Sequence, residues 1–232
     1  VRDMLLQSLA IFEKLVEEQD SPERLNDLAD QYLRLAEEYN GLFSFDRENA
    51  AAYYRKAIDI YENLAGRQED SRYDLKLANA YGCFSKLYMK DNSTENQAVV
   101  LLEKQLEIIK KVNEEKKSVN MSRKLANCHY QLAKAASLAD SDKREKPTLH
   151  YKRAVALYDA VAAETGSVRA RRNLAAICEE AGGFFSRLSG KEMKDEAARL
   201  FQKSISVRKS LIQDIGDEKD IFALSRCYNQ LG

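Results

Sequence analysis

Residues 77–81 read Leu-Ala-Asn-Ala-Tyr, and four other stretches repeat this leucine followed by a small residue. The leucines are Leu28, Leu77, Leu125, Leu174 and Leu224, which gives steps of 49, 48, 49 and 50 residues. A second register keeps the same steps at Ser8, Ala57, Gln105, Ala154 and Ser204. Two registers with one period predict two structural elements in each repeat, and units of this kind bury their apolar faces by stacking on one another.

Each repeat carries the signals of two helices. The first helix of every repeat opens with a residue that can cap it: Ser21, Ser71, Ser118, Ser167 and Asp217. Gly166 and Gly216 precede two of these caps, where an ending helix favours glycine. Triplets such as Ala50-Tyr54-Ala57, spaced by four and three residues, predict the buried stripe of a second helix. Each helix is expected to be about 20 residues long.

Composition excludes several classes of protein. The chain has 232 residues, of which 44% are hydrophobic, and its 37 basic residues balance 37 acidic ones. Zero net charge argues against a footprint for nucleic acid or an anionic membrane that covers the whole domain, and it leaves a local charged patch open. Two prolines and nine glycines are too few for an all-β protein. No apolar run approaches the roughly 20 residues of a membrane-spanning helix.

The residues quoted above resemble the tetratricopeptide repeat family. The resemblance rests on Leu28-Ala29 with Tyr32, on Leu77-Ala78 with Tyr81, and on the small-aromatic-small triplets. It implies an all-α, right-handed superhelical solenoid of antiparallel helix pairs. The family's usual repeat is about 34 residues, so these repeats are a long variant of about 49 residues. The family's early tryptophan is absent, because the chain has no Trp.

The repeats divide the chain, taken as a single domain, at defined boundaries. Residues 1–20 form a leading second helix, the helix pairs are 21–69, 70–117, 118–166 and 167–216, and residues 217–232 form a truncated first helix. We expect a fragment of a longer array. Leu5, Leu9 and Phe12 would lack a preceding helix, and Leu224, Tyr228 and Leu231 a following one. We therefore expect the chain either to self-associate through one or both of these uncapped ends or to fray there.

Catalytic and metal-binding patterns are missing from the sequence. His129 and His150 are the two histidines, and His129 is interpreted as a polar substitute at a tyrosine position. The sequence predicts no metal, no cofactor and no enzymatic activity, and Gly182-Gly183 is taken as a close-packing site or a kink. Adjacent carboxylates such as Glu179-Glu180 are interpreted as a solvated face. The four cysteines are expected to be buried, reduced thiols, which favours a cytoplasmic protein.

One ordered charge pattern marks a candidate binding groove. Family resemblance places the first helices on the concave side, and positions five before, one before and two after each leucine share a face. This face is acidic in the first repeat and then basic with asparagines. The predicted groove residues are Arg72, Lys76, Asn79, Arg123, Lys124, Asn127, Arg169, Arg172 and Asn173. Family members that bind chaperone tails hold peptide carboxylates with Lys, Arg and Asn, and Lys124, Arg172, Asn127 and Asn79 match in type.

Three interpretations of this face follow. The first is a scaffold that binds a protein or peptide segment, expected to be acidic, with Tyr73, Tyr81 and Tyr130 beside the groove. The second is a peptide-gated regulatory module that controls an attached effector domain. The third is a solvated or salt-bridged face with no ligand, in which Asp27 or Asp30 pairs with Lys76.

Overall fold

A computed structural model describes residues 2–41, 46–67, 70–89, 94–139 and 144–231. In these ranges the regular secondary structure consists of ten helices. They are α1 (Arg2–Glu18), α2 (Pro22–Tyr39), α3 (Arg47–Arg67), α4 (Ser71–Tyr88), α5 (Glu95–Glu115), α6 (Val119–Ala139), α7 (Glu145–Thr165), α8 (Val168–Ser186), α9 (Lys191–Ile215) and α10 (Glu218–Leu231). The predicted all-α fold of stacked helices is confirmed.

The chain forms two compact units, residues 1–115 and 116–232. In unit 1, α1 packs on α2, α2 on α3, α3 on α4, and α4 on α5. Unit 2 repeats this arrangement with α6 to α10. Because the connections are short, consecutive packed helices run antiparallel. A single domain over residues 1–232, with the repeat boundaries given above, stays a prediction.

The leucine register sets how the helices pack. We call Leu28, Leu77, Leu125, Leu174 and Leu224 the anchor leucines. Each lies six residues after the first residue of its helix, and these first residues are Pro22, Ser71, Val119, Val168 and Glu218. The small residues that follow the first four anchors are almost inaccessible to solvent: Ala29, Ala78, Ala126 and Ala175. One heptad further on, a Cβ atom on Gly182 would lie 2.9 Å from the Phe201 ring. Gly182 therefore permits a close approach of α8 and α9, as the sequence predicted.

Side chains cap the first helices mostly where the sequence places them. Ser21, Ser118 and Ser167 each accept a hydrogen bond from the backbone N–H three residues on, and Asp217 accepts one from Lys219. Gly166 and Gly216 have φ of 58° and 69°, which is the left-handed region expected at these helix ends.

The capping role assigned to Ser71 is wrong. Ser71 is the first residue of α4, and it is buried. Asp70 is the cap, because its carboxylate accepts a 2.9 Å hydrogen bond from the N–H of Arg72. The same carboxylate also accepts from the Arg72 side chain at 2.7 Å. A carboxylate has two oxygens, so Asp70 accepts from both the backbone and the side chain of Arg72. This favours aspartate over the neighbouring serine as the cap.

All four cysteines are buried, free thiols, as predicted. Burial raises the pKa of Cys83 to about 11 and the pKa of Cys128 and Cys178 to about 12. These three thiols therefore stay protonated at neutral pH and behave as small apolar core residues.

Apolar side chains are exposed on the first and last helices. On α1, Met4 is 73% exposed and Ile11 is 61% exposed, whereas Leu9 is buried and Leu5 and Phe12 are half-buried against the core. On α10, Phe222 is 76% exposed, and Ile221 and Tyr228 are about half exposed. Tyr228 is thus exposed as predicted, whereas Leu5, Leu9, Phe12 and Leu224 are buried or half-buried, because a helix that lacks a neighbour on one side keeps its inner face packed. The side chain of Leu231 lies outside the described residues.

Replacing Ala78 tests the leucine register. Ala78→Arg should lower the free energy of unfolding by about 3 kcal/mol, since a long cation would be forced between packed helices. The matched control is Asn79→Arg at the adjacent exposed position, which should change stability by no more than about 0.5 kcal/mol. Urea unfolding followed by circular dichroism measures both variants. Equal losses at the two positions would contradict the register.

The exposed apolar faces predict self-association. Sedimentation equilibrium should show a weight-average mass that rises with concentration, because bare apolar faces bury area against each other. A variant carrying Ile11→Lys and Phe222→Lys should stay monomeric at the same concentrations, with unchanged helicity. A wild-type chain that is monomeric throughout the concentration series would refute this prediction.

Candidate functional site

The first helices of the repeats are α2, α4, α6, α8 and α10, and the odd-numbered helices are the second helices. Side chains join neighbouring first helices across one face of each unit. In unit 1, Lys76 of α4 forms a 2.6 Å ion pair with Asp30 of α2. The Tyr61 hydroxyl of α3 donates to the other oxygen of Asp30 at 2.5 Å. This is the pairing that the salt-bridged interpretation expected. The Lys76 pair is about one-third exposed on both sides, so its contribution to stability is about 0–1 kcal/mol.

The other predicted residues of unit 1 face solvent. Arg72 is exposed, and its guanidinium is held by Asp70 at 2.7 Å and lies 6.0 Å from the centre of the Tyr73 ring. Asn79 is exposed. Tyr73 and Tyr81 were expected beside the groove but are buried, so their rings belong to the core. The Tyr81 hydroxyl donates to Glu62 of α3.

In unit 2 three of the predicted cations, Arg123, Lys124 and Arg169, make no ion pair within the described residues. Lys124 is half-buried and Arg169 is exposed. Arg123 donates to Asn120 of its own helix at 2.7 Å. Asn127 is exposed and Asn173 is half-buried. A neutral amide does not cancel a charge, so Arg123, Lys124 and Arg169 are the predicted groove cations of unit 2 whose charge is open to a partner.

Arg172 has a structural role that the sequence did not predict. Its guanidinium donates to Asp217 at 2.6 Å and to Asp220 at 2.7 Å, both at the N-terminus of α10. Asp220 is buried, so its charge needs this pairing. Arg172 thus ties α8 to α10, and its charge is already neutralised within the fold.

A buried ionic cluster connects the last three helices. Arg208 of α9 donates to Glu179 of α8 at 2.9 Å and lies 3.6 Å from Asp220 of α10. Arg226 of α10 donates to the other oxygen of Glu179. Burial opposes ionisation of Glu179, but the hydrogen bonds from Arg226 and Arg208 outweigh it and hold its pKa below the ordinary value. The interpretation of Glu179 as a solvated carboxylate is therefore wrong.

A break in the repeat pattern marked this cluster. In the second register, the position of Arg208 is occupied by Tyr61, Ile109 and Tyr158 in the other repeats. Tyr158 and Ile109 are buried, and so is Arg208. A cation at an apolar core position requires a carboxylate partner. Arg208 at this position of the sequence therefore indicated a buried ion pair.

A groove opens between the first helices of unit 2. Its cavity volume is about 450 Å³, and α6, α7, α8 and α10 contribute to it. Its walls include Lys134, Leu138, Tyr151, Ala176, Gly183 and Arg187. We call this cavity the unit 2 groove. It lies further along the first helices than the predicted groove residues, which precede or closely follow each leucine.

The two histidines meet in the core of unit 2. The Nδ1 atoms of His129 and His150 are 2.8 Å apart, and both rings are buried. By the repeat registers, this pair takes the place of Tyr32 and Tyr53, whose rings stack at 6.0 Å in unit 1. This supports the interpretation of His129 as a substitute for tyrosine. Within the described residues, no group of three or more His, Cys, Asp or Glu side chains could hold a metal ion.

The Glu179 cluster predicts a pH-dependent stability. Because the folded pKa of Glu179 is lowered, ionised Glu179 contributes stability above its ordinary pKa of about 4.3, and the contribution is lost as pH falls through the lower folded value. Glu179→Gln should therefore cost about 3 kcal/mol at pH 7 and clearly less at pH 3. Urea unfolding at the two pH values measures this. Glu192→Gln, at an exposed position on α9, is the control. A cost for Glu179→Gln that is the same at both pH values would contradict the assignment.

Comparisons with known proteins identify the fold. No protein-family model matches the chain, and no curated protein sequence does. Solved structures do match: two structures of Nro1, one described as the S. pombe nuclear import adaptor, have TM-scores of 0.66 and 0.61 at 10% identity. They cover 99% of this chain and 78% and 74% of those chains. The apo form of RapI has a TM-score of 0.53 at 11% identity and covers 99% of this chain and 69% of that one. The chain thus has a tetratricopeptide-like helical repeat fold. Across the described ranges, no helix combines the length and apolar character needed to cross a membrane.

Proposed function

We propose that this protein is an interaction scaffold that binds an acidic segment of a protein partner along its first helices. The observation that carries the proposal is the state of Lys124 and Arg169. Both cations lie on the first-helix face of unit 2, and within the described chain neither is neutralised by an ion pair. Exposed asparagines such as Asn127 add hydrogen-bonding groups that can hold peptide backbone.

The partner's character follows from the charges that remain. Lys76 and Arg172 are neutralised by Asp30 and by Asp217 and Asp220, so they contribute little attraction to a ligand. Lys124 and Arg169 would attract carboxylates and steer their approach. A protein partner fits a repeated set of packed helices better than a small molecule does, because helical repeats offer extended binding surfaces. The structural similarity to Nro1, described as a nuclear import adaptor, is compatible with this class of function.

We propose no catalytic role for the reactive side chains of this protein. The buried thiols, the histidine pair and the Glu179 cluster are all internal contacts of the fold. We place the protein in the cytoplasm, because four buried free cysteines suit a reducing compartment.

Charge reversal at two of the available cations, the half-buried Lys124 and the exposed Arg169, tests the proposal. Lys124→Glu combined with Arg169→Glu should weaken binding of an acidic partner by about 100-fold, because like charges would face each other across the contact. Partners recovered by affinity capture from a lysate are identified by mass spectrometry, and the affinity of a purified partner segment is then measured in solution. Wild-type binding should also weaken with added salt.

The matched control reverses two exposed cations on second helices. Lys110 of α5 and Arg153 of α7 are exposed, so Lys110→Glu with Arg153→Glu makes the same change of net charge on a different face. This control should bind the partner as the wild type does, and both variants should keep wild-type helicity. Equal weakening in both variants would reject a site on the first helices and indicate a general charge effect.

A further inference from the structure

Gly183 has no packing reason to be glycine. A Cβ atom at this position would meet nothing within 4 Å, whereas one on the adjacent Gly182 would press on Phe201. A glycine inside a helix destabilises it relative to alanine. At the equivalent position, nine residues after the anchor leucine, the other described repeats carry Glu37, Lys86 and Lys134. The repeat of residues 167–216 therefore lacks a long side chain at a position where the other repeats have one.

The missing side chain opens the floor of the unit 2 groove. Gly183 lines this groove together with Ala176 on the same helix, one heptad earlier. Leu138 of α6 is half exposed beside them, and Tyr151 supplies an aromatic ring. A bound chain can thus reach the backbone of α8 and place an apolar side chain against these residues.

Among the charged side chains that line the unit 2 groove, one cation remains without an ion pair in the described part of the chain. Glu179 is neutralised by Arg208 and Arg226, as described above. Glu180 accepts a hydrogen bond from Tyr130 and lies 3.6 Å from the Lys134 amine. Arg187 is exposed at the end of α8 and, in the part of the chain that the structure describes, makes no ion pair. The unit 2 groove therefore complements a ligand that carries one carboxylate.

We infer that the unit 2 groove binds an extended peptide segment in which an acidic side chain pairs with Arg187 and a nearby apolar side chain rests on Gly183 and Leu138. This rests on the proposed function and gives it a second, more specific subsite. The groove has the dimensions of a small ligand pocket, since such pockets are about 300–1,000 Å³ in volume. One or two side chains of a peptide fill a space of that size.

Defined peptides test the inference. The probe is a set of capped, Gly/Ser-based octapeptides, each with one Asp or Glu and one Leu or Phe at different spacings. Matched sets replace the acid with Asn or Lys. Titration into ¹⁵N-labelled protein should shift the amide signals of Gly183 and Arg187 for acidic-apolar peptides, with Asn peptides at least about tenfold weaker. A Gly/Ser peptide with a free C-terminus and no acidic side chain should not bind, and binding of that peptide in preference to the capped ones would overturn the assignment to a side chain.

Two variants separate the groove from the rest of the surface. Gly183→Gln should reduce affinity at least about tenfold by filling the floor, while the melting temperature stays the same or rises. The control is Gly66→Gln, since Gly66 also lies near the end of a helix with nothing within 4 Å of its Cβ position. This control should bind like the wild type. In Arg187→Gln, Asp and Asn peptides should bind equally well.

The outcomes distinguish this inference from the proposed function. If the peptides bind and Lys124→Glu with Arg169→Glu abolishes binding while Gly183→Gln does not, the groove assignment is wrong and the scaffold function stands. If none of the capped peptides binds at millimolar concentration, the inference is overturned, and the scaffold function is judged by partner capture. Loss of binding in both Gly183→Gln and Gly66→Gln would also contradict it.

Discussion

The fold depends on the close approach of helices at the small residue that follows each anchor leucine. Ala29, Ala78, Ala126 and Ala175 are almost completely buried, and each occupies the same position in its helix. A small side chain there allows the partner helix to pack at short range. In unit 2, the Ser204 hydroxyl of α9 donates to the backbone carbonyl of Ala175, and the Phe201 ring lies against Gly182 one heptad further on. Sites of this kind tolerate little change in volume.

This packing directs polar residues to the face that the first helices share. Neighbouring first helices meet there through pairs such as Lys76 with Asp30 and Arg172 with Asp220. Ion pairs of this type hold register without requiring a continuous apolar seam, so the face can stay accessible to a partner. Where the pairing is complete, the residues serve the fold. Where it is incomplete, as at Lys124, Arg169 and Arg187, charge remains for a ligand.

The sequence was sufficient to predict the helices and their order, because the leucine register and the caps are local signals. It placed Ser21, Ser118, Ser167 and Asp217 at helix starts, and it missed Asp70 because Ser71 also fits a cap. Of the nine groove residues that spacing selected, four are exposed (Arg72, Asn79, Asn127 and Arg169) and five are half-buried, because spacing determines which residues share a face but not what covers that face. The partners of those residues depend on contacts between separate helices, and sequence spacing carries no information on them. Arg172, Glu179 and the histidine pair were misread or missed for this reason, although Arg208 at a tyrosine position was a visible signal.

A scaffold of the proposed kind contacts its partners through the first helices and leaves the second helices uncovered. Site-specific photo-crosslinking in cells tests it most directly, with p-benzoylphenylalanine placed at one exposed position at a time. Asn127 of α6 and Ala176 of α8 represent the first helices, and Lys110 of α5 and Arg153 of α7 represent the second helices. We expect one and the same partner to be crosslinked from Asn127 and Ala176 and none to be crosslinked from Lys110 or Arg153. Crosslinks from the second-helix positions, with none from the first helices, would contradict it.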